Sequence, residues 1–160
     1  MSQVKIQKLP FDLHAELDFF HASDARVGAI CSFMGTVRDR SDGRAINSLE
    51  LEHYPGMTEK SIESMIHQAN QRFNIYSALV IHRIGILKPL EPIVLVAVSS
   101  AHRHDSFQAC EFIMDYLKTQ APFWKKEGFE TDARWVDARD SDDKALARWG
   151  IDSTNAVKNL

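Results

Sequence analysis

Two apolar, β-branched runs constrain the fold most: Ser77–Leu87, "SALVIHRIGIL", and Ile93–Ser100, "IVLVAVSS". Both read as strands, and only "KPLEP" breaks them. Strands in neighbouring pairs point to a largely antiparallel sheet and to an α+β or mixed α/β class. A doubly wound nucleotide fold is disfavoured for the same reason, and no G-x-G-x-x-G follows a strand. A helix should begin near Asp105, where Asp105 and Gln108 fit a capping box, and run to about Gln120. Phe107, Cys110, Ile113, Met114 and Leu117 form its apolar stripe.

The rest of the chain fits around this unit. "VKIQK", Val4–Lys8, alternates like a strand, and Asp12 caps a helix marked by Leu13, Leu17 and Phe20. Gly28–Arg38, "GAICSFMGTVR", reads as a strand with a polar end. "AINSLELEHY" reads as its hairpin partner across the loop "DRSDGR". Thr58 is the candidate cap of a helix carrying Ile62, Met65, Ile66, Ala69 and Phe73. "RWV", Arg134–Val136, suits a short last strand, "DDKALARWG" a short helix, and the last ten residues a loose end. The 160 residues suit one domain, 1–140, with a polar and partly flexible tail, 141–160. A net charge of -3 gives no global sign of nucleic-acid or membrane affinity. No run approaches the roughly 18 apolar residues of a membrane span, and the first residues lack a signal-peptide pattern. Cys31 and Cys110 read as reduced, buried residues of a cytosolic protein.

Three segments carry cations suited to chemistry. His102, Arg103 and His104 lie just before a helix N-terminus. Adjacent residues on a turn rarely chelate one ion, and no C-x-x-C or H-E-x-x-H is present, so a metal site is disfavoured. Free N–H groups and the helix dipole favour an anion there, and Arg103 offers a planar fork for phosphate. A plain polar turn remains open. Lys118 falls in a last helical turn, which the dipole alone explains, and Lys125 and Lys126 follow beside Phe123 and Trp124. Such lysines are either surface charges or desolvated groups able to move protons. Arg38 ends an apolar strand, at the mouth of a sheet. His53, His67 and His82 are isolated and suit structural roles, and Asp140, Asp142 and Asp143 suit a solvated tail. These residues imply a cationic, phosphate-friendly site but not its reaction. A non-catalytic phosphate- or nucleotide-binding module stays open as an alternative.

"FMGTVR", "LEHYPGMTEKSI", "VIHRIG", "SSAHR" and above all "FIMDYLKTQAPFWKKE" resemble the large, catalytic subunit of molybdopterin synthase over Gly28 to Ala138. The resemblance implies an α/β hammerhead fold with an added antiparallel β-rich subdomain. It implies sulfur transfer from the C-terminal Gly-Gly thiocarboxylate of a small ubiquitin-like subunit to cyclic pyranopterin monophosphate, forming the dithiolene of molybdopterin. It also implies a homodimer of large subunits within a heterotetramer, with no metal or organic cofactor for the transfer. Lys118 and Lys125 match the two active-site lysines. Thr36, Val37 and Arg38 match a strand-end substrate contact, with Lys126 and Glu127 as a second binding segment. His102 and Arg103 match a pair reaching the pocket from the other large subunit, and Arg139 is a further candidate from the dimer mate. Phe33 and Met114 would line the tunnel for the partner's tail. His104 receives no role.

Overall fold

The computed structural model describes residues 2–137 and 140–151. The α+β architecture is present as two four-stranded sheets, a small ribbon and four helices among those residues. The first sheet has the order β1 (Gln3–Gln7), β6 (Ile75–Arg83), β8 (Pro92–Ser100), β2 (Ala29–Thr36). β6 and β2 run antiparallel to β8, and β1 is parallel to β6.

The apolar runs Ala78–Ile81 of β6 and Val94–Val98 of β8 follow from burial on both faces. Ala78, Val80, Val96 and Val98 pack with α2 (Met57–Arg72) and α3 (Arg103–Thr119) in the main core. Leu79, Ile81, Leu95 and Ala97 point the other way, toward Phe20 of α1 (Leu13–His21). Burying each large side chain contributes roughly 1.5–3 kcal/mol, so neither face tolerates a polar alternation.

The second sheet has the order β10 (Ala133–Val136), β9 (Phe123–Gly128), β5 (Ser48–His53), β7 (Gly85–Leu87), and every pair is antiparallel. β3 (Arg40–Ser41) and β4 (Arg44–Ala45) form the ribbon. The run Ser77–Leu87 therefore serves both sheets. It divides at Gly85, whose φ of +86° suits glycine and lets the chain change sheets.

Several local expectations need correction. The segment after "DRSDGR" is not the partner of β2, because β5 pairs with β7 and β9. Phe123–Gly128, read only as a lysine-bearing stretch after a helix, is a central strand. Helix α2 is capped by Gly56 rather than Thr58, and the Gly56 N–H donates to Glu59 Oε2 at 2.7 Å. Helix α3 is capped by His102 with no side-chain cap bond, and Asp105 instead accepts from the Asn74 N–H at 3.2 Å. Asp12 does cap α1, accepting from His14 and Ala15.

Helix α4 (Asp140–Ala147) packs on α3. Beyond it, the Trp149 indole meets Phe73 and Phe112 edge-on at 5.8 and 5.4 Å and donates to Asp115 at 2.7 Å. Arg148 pairs with Glu111 and Asp115. No helix among the described residues is long and apolar enough to cross a membrane.

Candidate functional site

A cleft of about 330 Å³ opens where the end of β2, the C-terminal turn of α3 and the second sheet meet. Each wall has a simple origin. The β2–β8 register shifts between Gly35 and Thr36, and such an irregularity re-aims the chain beyond it. Val37 is then fixed in place: its N–H donates to Glu91 O at 3.0 Å and its carbonyl accepts from Leu90 at 2.9 Å. Thr36, Val37 and Arg38 line one side of the cleft.

Lys118 enters from the last turn of α3, beside Leu117 and Thr119. Strand alternation on β9 brings Phe123, Lys125 and Glu127 to the cleft and turns Trp124 and Lys126 to the other face. The Lys126 amine lies 5.5 Å from the centroid of the Trp135 ring. Lys125 is half-buried and Lys118 exposed. Glu127 is only 6% exposed and accepts from Arg134 Nε at 3.2 Å, while Arg134 also pairs with Asp42 at 2.6 Å. Its charge is thereby answered within the second sheet, and Arg38, Lys118 and Lys125 are the cations lining the cleft. Such an arrangement suits an anion and the stabilisation of developing negative charge.

Phe33 and Met114 do not line the cleft itself. They lie on the two elements that reach it, β2 and α3. Cys110, Met114 and Lys118 recur every four residues along one face of α3. Cys31, Phe33 and Gly35 share one face of β2, and Cys31 packs against the core that holds Cys110 and Met114. The Cys110 thiol is pushed up by burial and by its contact with Cys31. Phe33 is 43% exposed on edge strand β2, and Met114 is 9% exposed.

His102 and Arg103 lie elsewhere. With His104, Phe107 and Gln108 they border a separate, open depression at the N-terminal end of α3. Arg103 and Lys118 are fifteen residue steps apart along the helix, about 22 Å at 1.5 Å per residue. One chain does not bring these groups together. Arg139 lies outside the described residues.

Other cleft residues escaped the sequence reading. Val136, Asp137, Ser141 and Asp142 close the far side, and Asp142 is half-buried rather than solvated in a tail. Behind Phe123 lies His82, whose ring stacks on it at 3.8 Å between centroids. Burial, aided by the charges of Lys125 and Lys118, lowers the His82 pKa to about 3. The imidazole is neutral there. Among the described residues no three His, Cys, Asp or Glu side chains gather as a metal site.

Comparison with known proteins agrees in fold and sequence. The sequence model of the MoaE protein family matches residues 6–120. The molybdopterin synthase catalytic subunit of Ralstonia nicotianae is 55% identical over 156 residues, spanning 98% of this chain and 89% of that one. Molybdopterin cofactor biosynthesis protein E from Burkholderia multivorans superposes with a TM-score of 0.81 at 53% identity, covering 96% of this chain and 99% of that one. The MoaE protein of Burkholderia ambifaria gives 0.82 at 49%, covering 95% and 100%. With this agreement over nearly the whole length, the chain belongs to the MoaE protein family.

Proposed function

We propose that this chain is the catalytic subunit of a molybdopterin synthase. It transfers sulfur from the C-terminal thiocarboxylate of a small ubiquitin-like subunit to cyclic pyranopterin monophosphate, forming the dithiolene of molybdopterin. The observation that carries this reading, beside family membership, is the convergence of Arg38, Lys118 and Lys125 in one cleft.

Phe33 of β2 and Met114 of α3 would guide an extended, flexible tail, which binds best in a narrow apolar channel. Its thiocarboxylate would be delivered beside Lys118. The substrate phosphate meets Arg38, with Thr36 and Val37 shaping the strand end. Attack by sulfur and opening of the cyclic phosphate both generate negative charge, which fixed cations stabilise without reorganising. Lys118 and Lys125 supply that charge and the proton transfers.

Glu127 holds β9 through Arg134 and so keeps Lys125 in line. His102 and Arg103 complete the pocket from a second large subunit, which resolves the roughly 22 Å that separates them from Lys118 within one chain. The assembly is a homodimer of large subunits with one small subunit at each end.

Incubating the purified chain with a thiocarboxylated small subunit and cyclic pyranopterin monophosphate tests the reading. Dithiolene product is expected once two thiocarboxylated small subunits are consumed per substrate, because each delivers one sulfur. Tight substrate binding without product would instead establish a non-catalytic phosphate-binding module.

A further inference from the structure

Six residues separate Lys118 from Lys125, and this short link sets the geometry of both. Its backbone is partly self-supporting: Gln120 and Ala121 donate to Tyr116 O, and Phe123 donates to Ala121 O. Two side chains from outside α3 and β9 hold the rest. Thr58 of α2 is fully buried. Its hydroxyl accepts from the Tyr54 N–H at 2.9 Å and donates to the Pro122 carbonyl at 3.1 Å. His82 of β6 lies under the Phe123 ring at 3.8 Å with 17° between planes.

We infer that His82 is a positioning residue, acting through Phe123, which together with Thr58 clamps the α3–β9 link and sets Lys125 against Lys118.

The orientation of the imidazole is fixed from its other side. The Arg83 carbonyl only accepts, so His82 Nδ1 carries the proton and donates to it at 2.8 Å. Arg83 is itself buried and anchored on Lys8 O and Pro92 O. The ring therefore rests on the first sheet, whose strands β6 and β8 are buried along most of their length. A flat, uncharged surface is what the site needs at this point. A cation there would repel both lysines across a poorly solvated space, and a smaller side chain would leave a cavity into which Phe123 could tilt. Phe123 starts β9, and Lys125 follows two residues later on the same face of the strand.

The inference rests on the proposed roles of Lys118 and Lys125, but its first test does not use activity. The Cε–Nζ NMR signals of the two lysines should move in His82→Ala and return toward wild type in His82→Phe, which keeps the stack. The His82 ring nitrogens should show the neutral Nδ1–H tautomer from pH 5 to 8, a range chosen on both sides of the free-histidine pKa of about 6.5. Unmoved lysine signals in a folded His82→Ala protein, or a ring that titrates near neutrality, would overturn the inference.

In sulfur transfer, His82→Ala should lower kcat about 10- to 100-fold with KM nearly unchanged, the scale expected from misplacement by about an ångström. His82→Phe should recover most of this. Thr58→Val, which keeps the volume and removes the bond to Pro122, should fall between them. Combining His82→Ala with Phe123→Ala should cost no more than Phe123→Ala alone, whereas additive losses would mean that His82 does not act through Phe123. If Lys118→Ala and Lys125→Ala kept full activity, the proposed reaction site would fail, and the lysine signals would still decide the role of His82.

Discussion

The two ends of helix α3 carry similar cations and have different surroundings. At the C-terminal end Lys118 faces a cleft walled by β2, β9 and the start of α4. At the N-terminal end His102 and Arg103 lie exposed around an open depression with Phe107. The difference lies in the second sheet, which folds against one end only. A residue type near a helix end is therefore a weak guide to a site, and the walls that desolvate it decide. In the proposed dimer the exposed end of one chain would supply what the walled end of the other lacks.

The sharpest way to break this comparison is Lys118→Ala. It should lower dithiolene formation by at least about a hundredfold, as removal of a charge-stabilising group does. Its exposure means that the melting temperature and dimer formation should hardly change. Near-normal turnover would remove Lys118 from the reaction.

Arg103→Ala, at the open end, should act differently. It should weaken substrate binding by about 2 kcal/mol, near thirtyfold in KM, as expected for lost charge-assisted bonds. A change confined to small-subunit binding would contradict the anion role.

A third test addresses the floor of the walled end. His82 stays neutral in the fold down to about pH 3, chiefly through burial, with Lys125, Lys118 and His53 adding to the effect and the bond to the Arg83 carbonyl opposing it. In the unfolded chain it takes up a proton near pH 6.5. Its contribution to stability is complete above that pH and falls as pH drops from 6.5 toward 3, with a slope approaching about 1.4 kcal/mol per unit. Denaturant titrations at several pH values should show this slope in the wild type and its loss in His82→Phe. An equal slope in both would mean that His82 is not the group responsible.

The smallest effect concerns Lys126. It faces away from the cleft over Trp135, a contact worth about 0.5–1 kcal/mol at an exposed site. Lys126→Ala should change kcat/KM far less than Lys125→Ala, and equal losses would mean that both faces of β9 meet substrate.

How much of this was legible in the sequence depends on whether the signal was local. The β6 and β8 runs, the α2 and α3 stripes and the Asp12 cap depend on neighbouring residues, and each could be read. The partners of β5 could not, because strand pairing is set by the tertiary fold and its alternation suits several neighbours. β9 was hidden behind its lysines: Lys125, Lys126 and Glu127 look like a solvated turn until the second sheet covers one side of them. Asp105 fitted a capping box, yet its side chain bonds Asn74 thirty-one positions back. The site cations were visible as residue types, and their roles came from resemblance to a family. His82 lay in a segment that carries the resemblance but gave no signal of its own, because a lone histidine in an apolar strand looks the same whatever rests on it.

The central claim is that the two unlike ends of α3 meet as one site between two chains. Mixing Lys118→Ala subunits with Arg103→Ala subunits tests it directly. In a two-fold dimer the mixed species has one cleft with both residues intact and one lacking both. Purified mixed dimers, supplied with thiocarboxylated small subunit and with substrate held near the wild-type KM, should recover about half the wild-type dithiolene formation per dimer, while each parent homodimer stays low. Verified mixed dimers no more active than the parents would contradict the shared site.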